Sequence, residues 1–222
     1  MKAADIESQM RDGILAGDFE PDSWLRMEDL KARFAVGFSP IREALSRLVG
    51  EGLIELEPNK GFRVKGLSRE DLTDIAVTRG AVESMALRRS IALGDDRWEA
   101  GIVGAMHHYK RKAQSAFSDA KSLGEWEKAH DELHAALVAA CDSPRLMELQ
   151  RRLQDQHLRY RRLIVVPQVG HGVHVEEHER LVGLVLARDA DAAAGLIESH
   201  MMITVDGLDS ANFWEISSTT KD

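Results

Sequence analysis

Residues 36–65 read VGFSPIREALSRLVGEGLIELEPNKGFRVK, and the spacing of their apolar side chains changes part-way along. In the first half, these side chains recur at steps of three and four residues, at Ile41, Ala44, Leu45, Leu48 and Val49. This spacing predicts an amphipathic helix that starts within residues 37–40, where Ser39 can cap it. In the second half, apolar and polar residues alternate on both sides of residues 58–61, which predicts a β-hairpin.

Two shorter helices are predicted ahead of this stretch. Their apolar residues also follow helical spacing, at Ile6, Met10 and Ile14 in the first and at Met27, Leu30 and Phe34 in the second. Three helices followed by a hairpin form a winged helix-turn-helix, a unit whose third helix enters the major groove of DNA. We therefore predict that residues 1–66 form a winged-helix DNA-binding domain.

Beyond a short linker at Gly66 and Leu67, the chain has the pattern of helix throughout. We predict six helical segments, at 68–93, 95–118, 122–141, 143–165, 172–188 and 189–208. The predicted fold class is therefore mainly α, with the winged helix-turn-helix followed by an all-α bundle in residues 67–210. The polar segment 211–222 is predicted to be a disordered tail.

The composition fits a cytoplasmic protein but supports DNA binding only weakly. The chain has 222 residues, and its one cysteine, Cys141, cannot form an internal disulfide. No stretch has the apolar pattern of a signal peptide or a membrane span. The net charge of -8 argues against indiscriminate binding to nucleic acid, although residues 24–66 carry 8 Lys and Arg against 6 Asp and Glu. The DNA-binding prediction therefore rests on the motif and not on the charge.

Six side chains of the N-terminal domain are candidates for DNA contacts: Arg26, Ser39, Arg42, Arg47, Lys60 and Arg63. Ser39 and Arg42 lie in the first turns of the recognition helix, where an arginine can form two hydrogen bonds with guanine. Arg47 and Arg26 are candidates for phosphate contacts, and the other two lie on the hairpin. Each could also be an ordinary solvated charge, and only their positions within one module favour DNA.

Four histidines have a spacing that suggests a metal site. His130 and His134 are four residues apart on a predicted helix, and His178 and His200 lie on later helices. Neutral imidazole is a common ligand of zinc and nickel. The alternative is coincidence, because the chain has 9 histidines. The segment also superficially resembles the HExxH motif of metalloproteases, with Asp131 in place of the glutamate that acts as general base.

The order PIREAL at 40–45, RL at 47–48, EGL at 51–53 and Gly61 is long and specific. Over most of residues 5–66 the chain resembles the DNA-binding domain of GntR-type bacterial regulators. Two departures stand out. The family commonly has Pro-Gly in place of Pro21 and Asp22, and it has Ser-Arg in place of Gly37 and Phe38. The second departure removes one expected DNA contact and predicts a different operator.

A second resemblance covers residues 70–205. The matching segments are RGAVE at 79–83, LHAAL at 133–137, SPRL at 143–146, EH at 177–178, ARD at 187–189 and His200. They resemble the helical FCD ligand-binding domain of the FadR subgroup. The resemblance implies a homodimer and a divalent metal, zinc or nickel, held by His130, His134, His178 and His200. The family more often has Asp or Asn at the first of these positions, and Asp131 could take the place of His130.

Together these features predict a regulator, acting as a repressor, whose affinity for a pseudo-palindromic DNA operator depends on a small carboxylate effector bound at or near the metal. Arg79, Arg159 and Tyr160 are candidates to hold the rest of the effector, although internal salt bridges would explain these arginines equally well. The alternatives are a metal-dependent hydrolase and a helical interaction module that does not bind DNA.

Overall fold

The computed structural model describes residues 2–115, 120–165 and 171–215. Within them the chain forms nine helices and three short strands. In chain order these are α1 (Ala3–Ala16), β1 (Trp24–Leu25), α2 (Met27–Phe34), α3 (Phe38–Gly50), β2 (Ile54–Glu57), β3 (Gly61–Val64), α4 (Arg69–Leu93), α5 (Asp96–Ser115), α6 (Ala120–Val138), α7 (Pro144–Val165), α8 (His171–Leu186) and α9 (Ala190–Ser210). The predicted fold class is confirmed.

The N-terminal elements form the winged helix-turn-helix. The predicted hairpin is β2 and β3, which pair antiparallel with Leu56 opposite Phe62. The strand β1 was not predicted, because two residues are too short to show alternation. It pairs with the other edge of β3 and places Trp24 opposite Arg63. The helices α1, α2 and α3 and the sheet enclose one hydrophobic core, which includes Ile41 and Leu45.

The start of α3 differs in detail from the prediction. The helix begins at Phe38, and Gly37 is its N-cap residue, without a side-chain hydrogen bond. Ser39 is thus the second helical residue and does not cap the helix, so this part of the prediction was wrong. Pro40 is the third helical residue, where its missing N–H removes no hydrogen bond from the helix.

The helices α4 to α9 form the second domain around a larger hydrophobic core. They correspond to the six predicted segments, with ends that differ by a few residues; the predicted continuation of α5 over 116–118 lies outside the described residues. Phe213 and Trp214 fall within the predicted tail, yet both pack against this core. Residues 216–222 also lie outside the described residues. None of the described helices is both long and apolar enough to cross a membrane.

The linker between the domains is fixed by a polar network. The Ser68 side chain caps α4 by accepting a hydrogen bond from the Asp71 N–H at 3.1 Å. In a capping box the Asp71 carboxylate would in turn bind the Ser68 N–H. Instead, Tyr160 lies between them: its hydroxyl accepts from the Ser68 N–H at 3.2 Å and donates to Asp71 Oδ2 at 2.7 Å. A side chain of α7 thus completes the cap of α4.

Candidate functional site

Four histidines from three helices come together inside the C-terminal domain. His130 and His134 come from α6, His178 from α8 and His200 from α9, and one nitrogen from each ring lies within 4.8 Å of all the others. His134 Nε2 and His178 Nε2 are 3.3 Å apart. Ligand nitrogens in a tetrahedral zinc site, with bonds of about 2.0–2.1 Å, are separated by about 3.3 Å. The spacing of this pair therefore fits a metal ion.

Two of these rings are oriented by carboxylates. His134 Nδ1 lies 3.1 Å from Glu83 Oε2, and His200 Nδ1 lies 3.0 Å from Glu177 Oε2. A carboxylate that accepts from Nδ1 leaves the lone pair on Nε2, as in many metal sites. Burial alone would raise the pKa of Glu83, but the charges of Arg79 and His134 hold it well below its usual range. Burial lowers the pKa of His200, which favours the neutral ring that a metal needs.

His130 has a different partner. Its Nδ1 lies 2.7 Å from Arg161 Nη1. Arginine can only donate hydrogen bonds, so this nitrogen is the acceptor and a neutral ring carries its proton on Nε2. Burial, followed by the charge of Arg161, lowers the pKa of His130 well below its usual value. Asp131 also binds Arg161, at 3.3 Å, and lines an open cleft of about 820 Å³ instead of joining the histidines.

Arg79 is the predicted effector residue that lies beside the histidine cluster. It is 1% exposed, and its Nε donates to Glu83 Oε1 at 2.7 Å. Its Nη1 donates to His157 Nδ1, also at 2.7 Å. Among the described residues, three buried donor nitrogens around the cluster have no hydrogen-bond partner: Arg79 Nη2, His157 Nε2 and Arg161 Nε. Because an unpaired buried donor is unfavourable, this region suits an anionic ligand.

Sequence reasoning missed the side chains that α7 contributes to this region. Gln150, His157 and Arg161 are buried, and Gln154 is partly buried. Their steps of four, three and four residues put them within about 60° of one another around the helix. These polar residues thus form a stripe at helical spacing, which the spacing of apolar residues alone does not reveal.

Arg159 and Tyr160 lie away from the histidine cluster, in the junction between the domains. The Arg159 guanidinium donates to the Lys65 carbonyl oxygen, and burial lowers its pKa. The Tyr160 hydroxyl binds Ser68 and Asp71 at the start of α4. The structure therefore brings Arg79 to the four histidines but does not bring Arg159 or Tyr160 there.

Side chains of α7 outside the polar stripe contact the DNA-binding domain. Gln156 Nε2 donates to the Glu51 carbonyl oxygen at 2.7 Å, at the end of α3. Arg151 binds the carboxylate of Glu51 at 3.0 Å, and Arg11 of α1 binds the same carboxylate at 2.7 Å. Arg162 donates to the Leu15 carbonyl oxygen of α1. One helix thus contacts both the histidine region and two helices of the DNA-binding domain, α1 and the recognition helix α3.

The candidate DNA-binding residues fall into two groups. Arg26, Arg42 and Lys60 line one groove of about 320 Å³ together with Trp24, which is 43% exposed. Ser39 is exposed in the first turn of α3, the helix that carries Arg42. The remaining two arginines are bound to carboxylates: Arg47 to Glu43 at 2.6 Å and to Glu7 at 3.4 Å, and Arg63 to Glu55 and Glu57, each at 3.0 Å. Lys60, although it lines the groove, also lies 3.0 Å from Glu57.

Comparison with known proteins agrees with this architecture. The profile of the bacterial regulatory proteins of the gntR family matches residues 2–64, and that of the FCD domain matches residues 74–202. The chain belongs to the GntR family and carries an FCD domain. It is similar to the HTH-type transcriptional repressor GlaR of Escherichia coli K12, with 36% identity over 88% of this chain and 90% of that protein.

Other relatives support the assignment. The uncharacterized HTH-type transcriptional regulator BphR of Paraburkholderia xenovorans is 37% identical over 87% of this chain and 79% of its own length. Among solved structures, E. coli McbR/YncC matches with a TM-score of 0.76 at 16% identity, over 95% of this chain and 98% of that chain. A GntR regulator from Rhodococcus sp. RHA1 matches with a TM-score of 0.74 at 21% identity, over 94% and 98%. The solved structures show the same fold, and membership of the GntR family makes the chain a DNA-binding transcriptional regulator and not an enzyme.

Proposed function

We propose that this regulator is a repressor whose affinity for its operator is controlled by a small carboxylate effector bound at or beside a divalent metal ion. The observation that carries the proposal is the convergence of four histidines, two of them oriented by buried or half-buried carboxylates. His134, His178 and His200 would hold zinc or nickel. His130 would be a donor to the effector through Nε2, and it would become a fourth ligand only if Arg161 released its Nδ1. A bound divalent cation supplies a local positive charge that attracts a carboxylate.

The surroundings of the histidines support an anionic effector. Arg79 and Arg161 are charged and buried, and each has a nitrogen without a partner. Arginine is well suited to carboxylates because it presents parallel donors. Arg161, which the sequence did not single out, is better placed for this role than Arg159 or Tyr160.

The contacts of α7 offer a route from the effector to DNA. An effector that binds His157 or Arg161 acts on one face of α7, while side chains elsewhere on α7 hold Glu51 and Leu15 of the DNA-binding domain. Ligands shift a conformational equilibrium only by their difference in affinity for the two states. We infer that α7 is displaced between those states and moves the recognition helix with it.

We also infer a homodimer that binds a pseudo-palindromic operator. Val77, Ala81 and Met85 form an exposed stripe at four-residue steps along α4, with Val77 59% and Met85 56% exposed. A self-complementary apolar stripe suits a two-fold interface.

On DNA, Arg42 and Ser39 would reach base edges, while Arg26, Arg47, Lys60 and Arg63 would contact phosphates. The repressor assignment is supported by the name of the similar GlaR, and such a protein acts in the cytoplasm, where bacterial DNA lies.

Metal analysis provides the first test. Purified wild-type protein should contain about one zinc or nickel ion per chain by elemental analysis, and the variant His134→Ala with His178→Ala should contain none, because it loses two of the ligands. His107→Ala is a matched control, since His107 is exposed on α5.

The effector is then sought by thermal shift with small mono- and dicarboxylates. An effector that binds the folded chain raises its melting temperature, and the shift should disappear in the double variant. Equal metal contents in the double variant and the wild type would remove the histidine cluster from the proposal.

A further inference from the structure

Phe38 is exposed at a position where folding does not require an aromatic ring. It is the first residue of α3 and is 42% exposed, whereas Phe34 and Phe62 of the same domain are buried in the core. Lys31 Nζ lies 4.8 Å from the centre of its ring, so the contact that the ring makes there is with an exposed cation. Single exposed apolar residues are common. The position of this one, in the first turn of the recognition helix, is what calls for an explanation.

Phe38 lies next to the residue that is best placed to read a base. Four residues separate it from Arg42, so the two side chains are about 40° apart around α3. Arg42 in turn lines the same groove as Arg26 and Lys60. Lys31 contacts the ring directly, and Arg42 follows it by one helical turn, so this end of α3 carries cations that suit a polyanion. A recognition helix that places Arg42 in the major groove therefore places Phe38 against the edges of neighbouring base pairs.

A phenyl ring has no hydrogen-bond donor or acceptor, so it cannot read the polar edge of a base. The C5-methyl of thymine is the apolar group that the major groove presents. We propose that Phe38 is a specificity-determining residue that selects a thymine in each half-site by packing on this methyl group. The proposal rests on the proposed function, because it requires that α3 enters the major groove.

The test compares thymine with deoxyuridine, which lacks only the methyl group. The probe is a duplex that the wild-type protein enriches from a randomised library, and each thymine in it is replaced in turn. At one position per half-site, the replacement should weaken wild-type binding about fourfold, the effect of one buried methyl group. The variant Phe38→Ala should bind both duplexes equally.

Two further variants separate the effect of the Phe38 ring from general affinity for DNA. Arg42→Ala should bind both duplexes more weakly but keep the fourfold ratio, because it leaves the ring in place. Phe38→Arg, selected on the same library, should enrich guanine at that position, since arginine pairs with its O6 and N7. The fold of each variant is checked by its circular dichroism melt.

Two results would overturn the proposal: equal wild-type affinity for thymine and deoxyuridine at every position, or a fourfold ratio that persists in Phe38→Ala. These differ from a failure of the proposed function. If the wild-type protein enriches no duplex at all, the DNA-binding role of α3 is lost and the proposal falls with it.

Discussion

His157 shows how a single buried contact makes the stability of the chain depend on pH. Burial and then the charge of Arg79 lower the pKa of His157 well below its usual value, so the folded chain holds it neutral. A group of this kind stabilises the fold above its unfolded pKa of about 6.5. That contribution is lost as the pH falls below this value, because the unfolded chain takes up a proton that the folded chain does not.

We predict that replacing His157 changes how steeply the free energy of unfolding falls with decreasing pH. One such proton contributes about 1.4 kcal/mol per pH unit, so in His157→Gln the free energy of unfolding should fall less steeply between about pH 6.5 and pH 5 by that amount. Urea unfolding over this range, with a chelator present throughout, measures the slope. The exposed His107→Gln serves as control. A slope unchanged in His157→Gln would show that His157 is not held neutral.

At the level of single residues, the sequence revealed the histidines more readily than their neighbours. The four-residue step of His130 and His134 is a local pattern, and the resemblance to FCD domains implied that His178 and His200 bind the same metal. Arg159 and Arg161 are two residues apart, which is about 200° around a helix. The sequence alone does not fix the rotation of α7, so it could not distinguish the arginine that faces the histidines from the one that faces the linker.

Among the elements, α3 and the β2–β3 hairpin were predictable because several apolar residues repeat the same spacing. The two residues of β1 carry no such repeat, so the groove that Trp24 shares with Arg42 was not foreseen. The sequence predicted α7 as a helix. It did not predict that α7 contacts both the histidine region and the DNA-binding domain. Its partners are far away in sequence, and their contacts depend on tertiary packing.

Tyr160 provides a test of how α7 holds the linker between the domains. Tyr160→Phe removes the hydroxyl that joins Ser68 to Asp71, which should destabilise the linker by about 1 kcal/mol. Limited trypsin digestion should then cleave faster after Lys65 or Arg69. Carboxylate binding should be unchanged, because Tyr160 does not reach the histidines. Loss of carboxylate binding with unchanged cleavage would instead return Tyr160 to the effector site.

In the whole molecule, the two domains are joined mainly by polar contacts from α7, and these are weak enough individually to be broken in a switch. Gln156 is the simplest of them, because its side chain donates one hydrogen bond to the carbonyl oxygen of Glu51 at the end of α3. A Cβ on the adjacent Gly52 would lie 2.5 Å from Gln156 Nε2, so the two segments are closely packed. Ordering of the histidine region should therefore be transmitted to this end of α3.

Hydrogen exchange can follow that transmission. Adding zinc to wild-type protein should slow amide exchange in α6 and α9, near the histidines, and also at Glu51–Leu53. In Gln156→Ala the slowing near the histidines should persist, while that at Glu51–Leu53 should fall by about fivefold, the equivalent of about 1 kcal/mol for one hydrogen bond. Gln114→Ala is the matched control, since Gln114 is exposed on α5. If zinc slows exchange at Glu51–Leu53 equally in Gln156→Ala and in the control, the coupling between the domains does not pass through this contact, and the displacement proposed for α7 loses its main support.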